Sequence, residues 1–249
     1  MNDSDVSYHI GVVVEGPDDL HAVRALVNRL LLEVDWIEEE FLGQMWAPVS
    51  ANGTNEYLPW RFVHSTWEGL KTMPRRFAIY GNFQGKQSAD ELVARKALVM
   101  MLLREPEVGA VVLVRDTDDA RDGDGLVRAK VGRQWPFGVA IGIAAPRVEA
   151  WFLAAFEPLN KNEEQLLSKQ RQMLSFDPRT EAGRLRDRRA GNPRNPKTVV
   201  EALGGVLRGA QGLAETDWSI IYDRDRYGIA SFVEDLRNTV VSLFDATPS

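Results

Sequence analysis

Acidic residues follow two runs of the sequence that are typical of buried β-strands. Glu15 ends the run HIGVVVEG, with Asp19 shortly after it, and Asp116 and Asp118 end the run GAVVLVRDTDD. In an open parallel sheet, sites form at the edge where the carboxyl ends of the strands meet. Because strand side chains alternate, we expect Asp116 and Asp118 on the same side. Carboxylates gathered there repel one another, and a hard divalent cation, Mg²⁺ or Mn²⁺, would relieve that repulsion.

The chemistry that such a site supports is the hydrolysis of a phosphate ester. A bound divalent cation polarises a phosphoryl oxygen and generates a hydroxide nucleophile at neutral pH. The alternative is that these residues are solvated acids of a loop, because aspartate favours turns and helix starts. We apply that alternative to Asp119, Asp122 and Asp124. The metal interpretation is favoured for the acids that end the adjacent strands, which are Glu15, Asp116 and Asp118.

Missing motifs exclude several other chemistries. The chain has no G-x-x-x-x-G-K-[ST] motif, no G-x-S-x-G motif and no G-x-G-x-x-G motif after the first strand. A P-loop NTPase is therefore excluded, and a dinucleotide-binding fold or an α/β-hydrolase is disfavoured. An EF-hand fails because position 120 is alanine. The chain has no cysteine, and the spacing of its histidines (His9, His21 and His64) does not suit a metal site.

Length and composition indicate an ordinary globular chain. Its 249 residues suffice for one α/β domain with additions or for two small domains. The net charge of -6 argues against a protein that simply coats nucleic acid. The segment MNDSDVSYH lacks the basic start and apolar core of a signal peptide, and apolar runs fall far short of the roughly 20 residues of a membrane span. We therefore expect a cytoplasmic protein with no membrane association.

The elements that must position the acids alternate between strand and helix patterns. Apolar residues at helical spacing follow Pro17, and they predict a first helix. Ser88, with Glu91 three residues later, has capping-box spacing and starts another predicted helix, over 88–103. This order predicts an α/β fold with a mainly parallel sheet flanked by helices. The predicted strands are 9–16, 75–81, 109–119 and 137–146, and further helices are predicted over 125–135 and 146–156.

Two parts of the chain fit this alternation poorly. Residues 36–75 contain four tryptophans and three prolines, and we predict an insertion of uncertain fold after the first helix. After Phe156, strand patterns nearly disappear. We therefore divide the chain into an α/β domain, 1–157, and a helical C-terminal extension, 158–249. The helices predicted in the extension are 163–173, 198–207 and 229–244.

The order of the acidic motifs resembles the Toprim fold of primases, topoisomerases and nucleases of the overcoming-lysogenization-defect type. The matching residues are VVVEG (12–16) and VVLVRDTD (111–118). PRVEAWFLA (146–154), with NPK (195–197) before a helix, is similar to a bacterial Toprim-related family that carries an E-A-W-[LF]-L-A signature. The resemblance covers residues 9 to about 240, and the insertion explains the long spacing between the two acidic motifs.

Carried onto this chain, the resemblance implies a role for each matching acid. Glu15 becomes a general acid/base or a metal ligand. Asp116 and Asp118 hold the divalent metal, and Asp19 joins them through the helix start. Glu149 matches the glutamate of the signature. It either faces the same cleft as a metal ligand or, as an acid at a helix N-terminus, stabilises the helix dipole.

A basic segment gives the predicted site a second component. Residues 179–197 carry seven basic and two acidic side chains. Beside an acidic metal site, these cations would hold the phosphates of a nucleic acid, and Lys197 would stabilise the charge developing on a transferring phosphoryl group. A solvated polar loop is the alternative. The candidate nucleic-acid-binding residues are Arg184, Arg186, Arg188, Arg189, Arg194 and Lys197.

Three functions remain open at this point. The first is a Mg²⁺- or Mn²⁺-dependent nuclease acting on DNA, RNA or tRNA. For this function the resemblance implies a role in bacterial defence against phage, with a separate ATPase as partner. The second is a non-catalytic Toprim-like binding or sensor subunit, with an interface formed by Trp36, Trp46, Trp60 and Trp67. A phosphatase of the Asp-x-Asp type is the third, although its motif would follow the first strand. The expected partners are therefore nucleic acid and an ATPase, and a homodimer stays open.

Overall fold

A parallel β-sheet forms the centre of the molecule. The computed structural model describes residues 9–47, 56–71, 88–103, 108–117 and 123–245. Within them, four strands pair in the order β2-β1-β3-β4, and all the pairings are parallel. The carboxyl ends of the strands therefore share one edge. The strands are β1 (Ile10–Val14), β2 (Leu58–Pro59), β3 (Ala110–Asp116) and β4 (Gly138–Ala144).

Helices cover both faces of this sheet. Within the described stretches, no helix combines the length and the apolar character needed to cross a lipid bilayer. The helices are α1 (Pro17–Leu31), α2 (Trp60–Lys71), α3 (Ala89–Leu102), α4 (Asp124–Val131), α5 (Glu149–Ala154), α6 (Lys161–Leu174), α7 (Pro196–Ala202), α8 (Gly205–Glu215), α9 (Trp218–Arg224) and α10 (Ile229–Thr239). Short 3₁₀ turns lie at Glu39–Met45, Ala182–Arg184 and Val241–Leu243.

Side chains of the central strands alternate between two cores, one on each face of the sheet. Val112 of β3 lies in the core shared with α1 and α5–α10. Val111 lies in the core shared with α2, α3 and α4. Both valines are fully buried, as expected for a strand covered on both faces. The same alternation sends the last two residues of β3, Arg115 and Asp116, to opposite faces.

The predicted α/β architecture, with a parallel sheet flanked by helices, is confirmed. The strands predicted over 9–16, 109–119 and 137–146 correspond to β1, β3 and β4, with shorter bounds. The strand predicted over 75–81 lies outside the described residues. Among the described residues, the sheet also takes β2 from the 36–75 segment, which forms α2 as well. Because β2 has two residues, one of them a proline that cannot donate to a ladder, it is a short edge strand without a readable alternation.

The C-terminal helices pack directly onto the first part of the chain. Helix α8 contacts α1 and α5, and α10 contacts β4, so one core spans position 157. The division of the chain at that position stays a prediction. The single helix predicted over 198–207 is wrong, because the segment breaks into α7 and α8. Gly204 (φ +110°), between the two helices, and Gly205 (φ +81°), the first residue of α8, have positive φ angles that favour glycine and interrupt a helix.

The four tryptophans of the 36–75 segment are divided between the two cores. Trp60 and Trp67 are buried in the core shared with α2–α4. Trp60 also donates its Nε1–H to the carbonyl oxygen of Val114, at 2.6 Å. Trp36 and Trp46 are half-buried against the opposite core. These side chains therefore do not form one exposed aromatic surface, which is the feature that the non-catalytic alternative requires.

Candidate metal site at the carboxyl edge of the sheet

Asp116 ends β3 and faces the start of α5. Its Oδ1 accepts a hydrogen bond from the backbone N–H of Val148, at 2.9 Å. Val148 is the N-cap residue of α5, and Glu149 is the first residue of that helix. This hydrogen bond therefore joins the end of β3 to the start of α5, the helix that begins with Glu149.

Two buried acids lie beside Asp116. Asp19, 4% exposed, stands in the first turn of α1, where its Oδ2 accepts N–H bonds from Glu15 at 2.8 Å and Gly16 at 3.0 Å. These bonds satisfy donors that the helix start leaves free. Glu149 is 2% exposed, and its Oε2 has no hydrogen-bond partner. A buried carboxylate oxygen without a partner is costly, so this arrangement favours a cation nearby.

The charges of these groups act on one another. Burial is the main cause that raises the pKa of Asp116 from 3.8 to about 8, and the negative charges of Asp19 and Glu149 add to it. Burial likewise raises the pKa of Asp19 to about 7, against the opposing effect of its two backbone hydrogen bonds. The charges of Glu15 and Glu149 also raise the pKa of Asp19. The carboxylates thus form one electrostatic cluster at the sheet edge.

Glu15 is a more exposed member of this cluster, and its charge raises the pKa of both Asp19 and Asp116. Its side chain is 42% exposed, and Oε1 lies 3.8 Å from Nη1 of Arg115. Arg115 also bonds Asp90, in the first turn of α3, at 3.0 Å. Sequence reasoning misses Arg115, although its position before Asp116 on an alternating strand indicates a cation on the opposite face. Asp118, the remaining predicted ligand, lies outside the described residues.

Lys197 brings a positive charge to the cluster. Its Nζ donates to Oδ2 of Asp18 at 2.9 Å and lies 3.7 Å from Oε1 of Glu149. Partial burial lowers the pKa of Lys197, but the hydrogen bond to Asp18 and the charge of Glu149 outweigh it, so the pKa lies above its usual value. The prediction that Lys197 accompanies the acidic site agrees with these contacts. Asp18, which the sequence indicates only as a helix-start acid, is its closest partner.

Apart from Arg179, which is half-buried and pairs with Glu157, the other cations of the basic segment are exposed. Several of them make contacts near their own positions in the chain. Arg184 pairs with Glu181 at 2.9 Å, and Arg189 pairs with Asp187 at 2.6 Å. Arg186 donates from Nε to the carbonyl oxygen of Gly183. These contacts hold the segment in a defined shape. Its exposed guanidinium groups, including those of Arg188 and Arg194, stay candidates for phosphate contacts.

The donor set fits a hard divalent cation in its chemistry. Asp19, Asp116 and Glu149 offer only oxygen ligands, the type that Mg²⁺ and Mn²⁺ prefer, and one of these oxygens is buried without a partner. Across the described residues, however, no group of three or more acids and histidines is arranged to hold a metal ion. Asp19 and Asp116 point to backbone N–H groups instead. Metal binding would therefore require carboxylates to turn from these donors.

The raised pKa values predict that the metal-free chain loses stability as pH rises. The folded state keeps a proton on Asp116 up to about pH 8, whereas the unfolded chain releases it near pH 3.8. The folded state therefore binds more protons across this window, and the free energy of unfolding falls from pH 5 to pH 8. We expect a loss of about 2 kcal/mol between pH 5 and pH 8. One group could contribute at most about 4 kcal/mol over this range, at about 1.4 kcal/mol per pH unit, and the partial exposure of Asp116 reduces that effect.

Chemical denaturation in EDTA at a series of pH values measures this effect. Added Mg²⁺ should restore stability more strongly at pH 8 than at pH 5, because metal binding requires ionised carboxylates. A free energy of unfolding that stays constant or rises from pH 5 to pH 8 would contradict the assignment of buried, mutually repelling acids.

Comparison with known proteins assigns neither a family nor a function to this chain. The chain matches no protein-family model, and it has no significant match among curated proteins or solved structures. The Toprim resemblance thus stays a prediction, and what is established is an α/β fold with an acidic cluster at the carboxyl edge of its parallel sheet.

Proposed function

We propose that this protein is a divalent-metal-dependent nuclease that hydrolyses phosphodiester bonds in nucleic acid. The observation that carries the proposal is the buried carboxylate of Glu149, whose Oε2 has no partner, beside the charge-coupled Asp19 and Asp116. This excess of buried acid is balanced in part by Lys197. A hard cation would balance the remainder.

The chain's own residues have distinct tasks in this proposal. Asp19, Asp116 and Glu149 would hold the cation, with Glu15 and Asp118 as the further ligands that the sequence predicts. When bound, the cation would polarise a phosphoryl oxygen and lower the pKa of a water molecule.

The remaining cations would serve the substrate. Lys197, whose Nζ lies at the acidic cluster, would place its charge beside the scissile phosphate. The exposed arginines of the 179–197 segment, including Arg186 and Arg194, would bind neighbouring phosphates and set the register of the strand. The proposal that an ATPase partner and a defence role accompany this activity rests on the sequence resemblance alone.

A cleavage assay tests this function. The full chain is incubated with labelled DNA, RNA and tRNA in Mg²⁺, in Mn²⁺ and in EDTA. We expect cleavage that needs the divalent cation and falls by about 10²-fold or more in Glu149→Gln, which removes a buried charge and keeps the shape of the side chain.

Glu164→Gln, at an exposed position in the first turn of α6, is the matched control and should retain the wild-type rate. Cleavage that persists in EDTA, or an unchanged rate in Glu149→Gln, would contradict the proposed function. So would the absence of cleavage with either cation.

A further inference from the structure

Lys197 already occupies the acidic cluster as a cation. Its Nζ contacts one carboxylate at the surface, Asp18, and lies near one that is almost fully buried, Glu149. The two distances differ: 2.9 Å to Asp18 and 3.7 Å to Glu149. The ammonium is therefore hydrogen-bonded to Asp18. It compensates the charge of Glu149 from a longer distance.

The backbone of Lys197 is held by a cap bond, whereas its side chain is exposed and held only through its ammonium. Asn195, 5% exposed, is the N-cap of α7 and accepts the backbone N–H of Lys197 at 2.9 Å. The side chain of Lys197 is 60% exposed, so the stem borders on solvent. A lysine side chain anchored in this way can move its charge by several ångström through its four-carbon stem without any change in the helix.

Glu149 cannot follow such a movement. It is 2% exposed at the first position of α5, and its Oε2 lies buried without a hydrogen-bond partner. When the ammonium leaves, the negative charge of Glu149 stays in place and needs another cation. The structure thus joins a buried anion to an exposed cation at the acidic cluster.

We infer that Lys197 is a built-in counter-ion of Glu149 that competes with the divalent cation for this site. Entry of the metal displaces the ammonium, which then becomes available to the phosphate of the substrate. This inference rests on the proposed function, and it adds a regulatory step. The site is held in a compensated state without metal, and metal binding itself releases the substrate-binding cation.

Metal affinity tests this competition without any need for catalysis. Binding of Mn²⁺ to the full chain at pH 8 is followed through the electron paramagnetic resonance signal of free Mn²⁺. Loss of one positive charge about 4 Å from the site should strengthen binding about five- to tenfold in Lys197→Met. Lys169→Met, the same change at an exposed lysine of α6, should bind within about twofold of wild type, and Lys197→Arg, which retains the charge, should also bind close to wild type.

The outcomes separate this inference from the function on which it rests. Tighter Mn²⁺ binding combined with slower cleavage in Lys197→Met supports the competition, because a purely structural lysine would not produce opposite changes. Wild-type or weaker affinity in Lys197→Met, in a wild-type chain that binds Mn²⁺, overturns the competition and leaves the metal site standing. If neither the wild-type chain nor Lys197→Met binds Mn²⁺ at millimolar concentration, the proposed function is overturned, and the competition with it.

Discussion

Replacement of Asp116 by asparagine is expected to remove metal-dependent cleavage while stabilising the metal-free chain at pH 8. Asparagine retains a side-chain oxygen that can accept the N–H of Val148. It removes a charge that burial, Asp19 and Glu149 all disfavour. We expect a rate about 10³-fold below wild type and a free energy of unfolding at least about 1 kcal/mol higher.

The pH dependence of this substitution makes the prediction specific. The stability gained should shrink as the pH falls below 5 and vanish toward pH 3, where the wild-type carboxyl is protonated in the folded state and mostly protonated in the unfolded chain. Asp124→Asn, at an exposed position in the first turn of α4, is the matched control. It should neither slow cleavage nor raise the free energy of unfolding at pH 8. An Asp116→Asn variant that cleaves normally, or that is less stable than wild type at pH 8, would contradict the role given to Asp116.

Substitution of Gly209 by valine is expected to produce the largest loss of stability. Gly209 lies in α8, and a Cβ atom there would stand 2.7 Å from Cβ and Cγ of Phe152 in α5. Phe152 is 1% exposed and cannot move into solvent. Because close-packed cores do not absorb such overlap, we expect a loss of about 3 kcal/mol in the free energy of unfolding.

This packing contact also bears on the site, because α5 begins with Glu149. The Gly209→Ala variant, which adds a single methyl group, should lose less stability than the valine variant and still bind Mn²⁺ more weakly than wild type. Gly43→Ala is the control, since a Cβ at Gly43 meets nothing within 4 Å. Thermal unfolding and Mn²⁺ titration measure both effects. If Gly209→Ala stabilised the chain, as the helix propensity of alanine alone would predict, the close contact between α5 and α8 would be wrong.

The sequence predicts the parts of this fold that depend on neighbouring residues. The apolar runs that become β1, β3 and β4 mark buried strands by themselves. Ser88 is correctly predicted as the N-cap of α3, because capping depends on a residue three positions away, and the N–H of Glu91 does bond its Oγ. The order of the strands predicts Asp116 at the carboxyl edge of the sheet, and the charges of Asp19 and Glu149 do act on it there. Their role as metal ligands stays a prediction.

Features that depend on distant contacts escape sequence reasoning. The bond between Lys197 and Asp18 joins residues 179 positions apart, and only the tertiary fold brings these two side chains together. The ion pair between Glu15 and Arg115, which lie 100 positions apart, is likewise absent from the local pattern after β1. In each case a partner from another element decides where a side chain points.

The presence of a divalent cation between Asp116 and Glu149 is the most direct test of this account, because it requires neither substrate nor partner. A crystal of the full chain soaked in Mn²⁺ at pH 8 would show the ion through its anomalous scattering. We expect a peak within about 2.5 Å of carboxylate oxygens of Asp116 and Glu149, with Nζ of Lys197 withdrawn from Glu149. A saturated crystal with no peak there, or with Mn²⁺ bound only elsewhere, would contradict it.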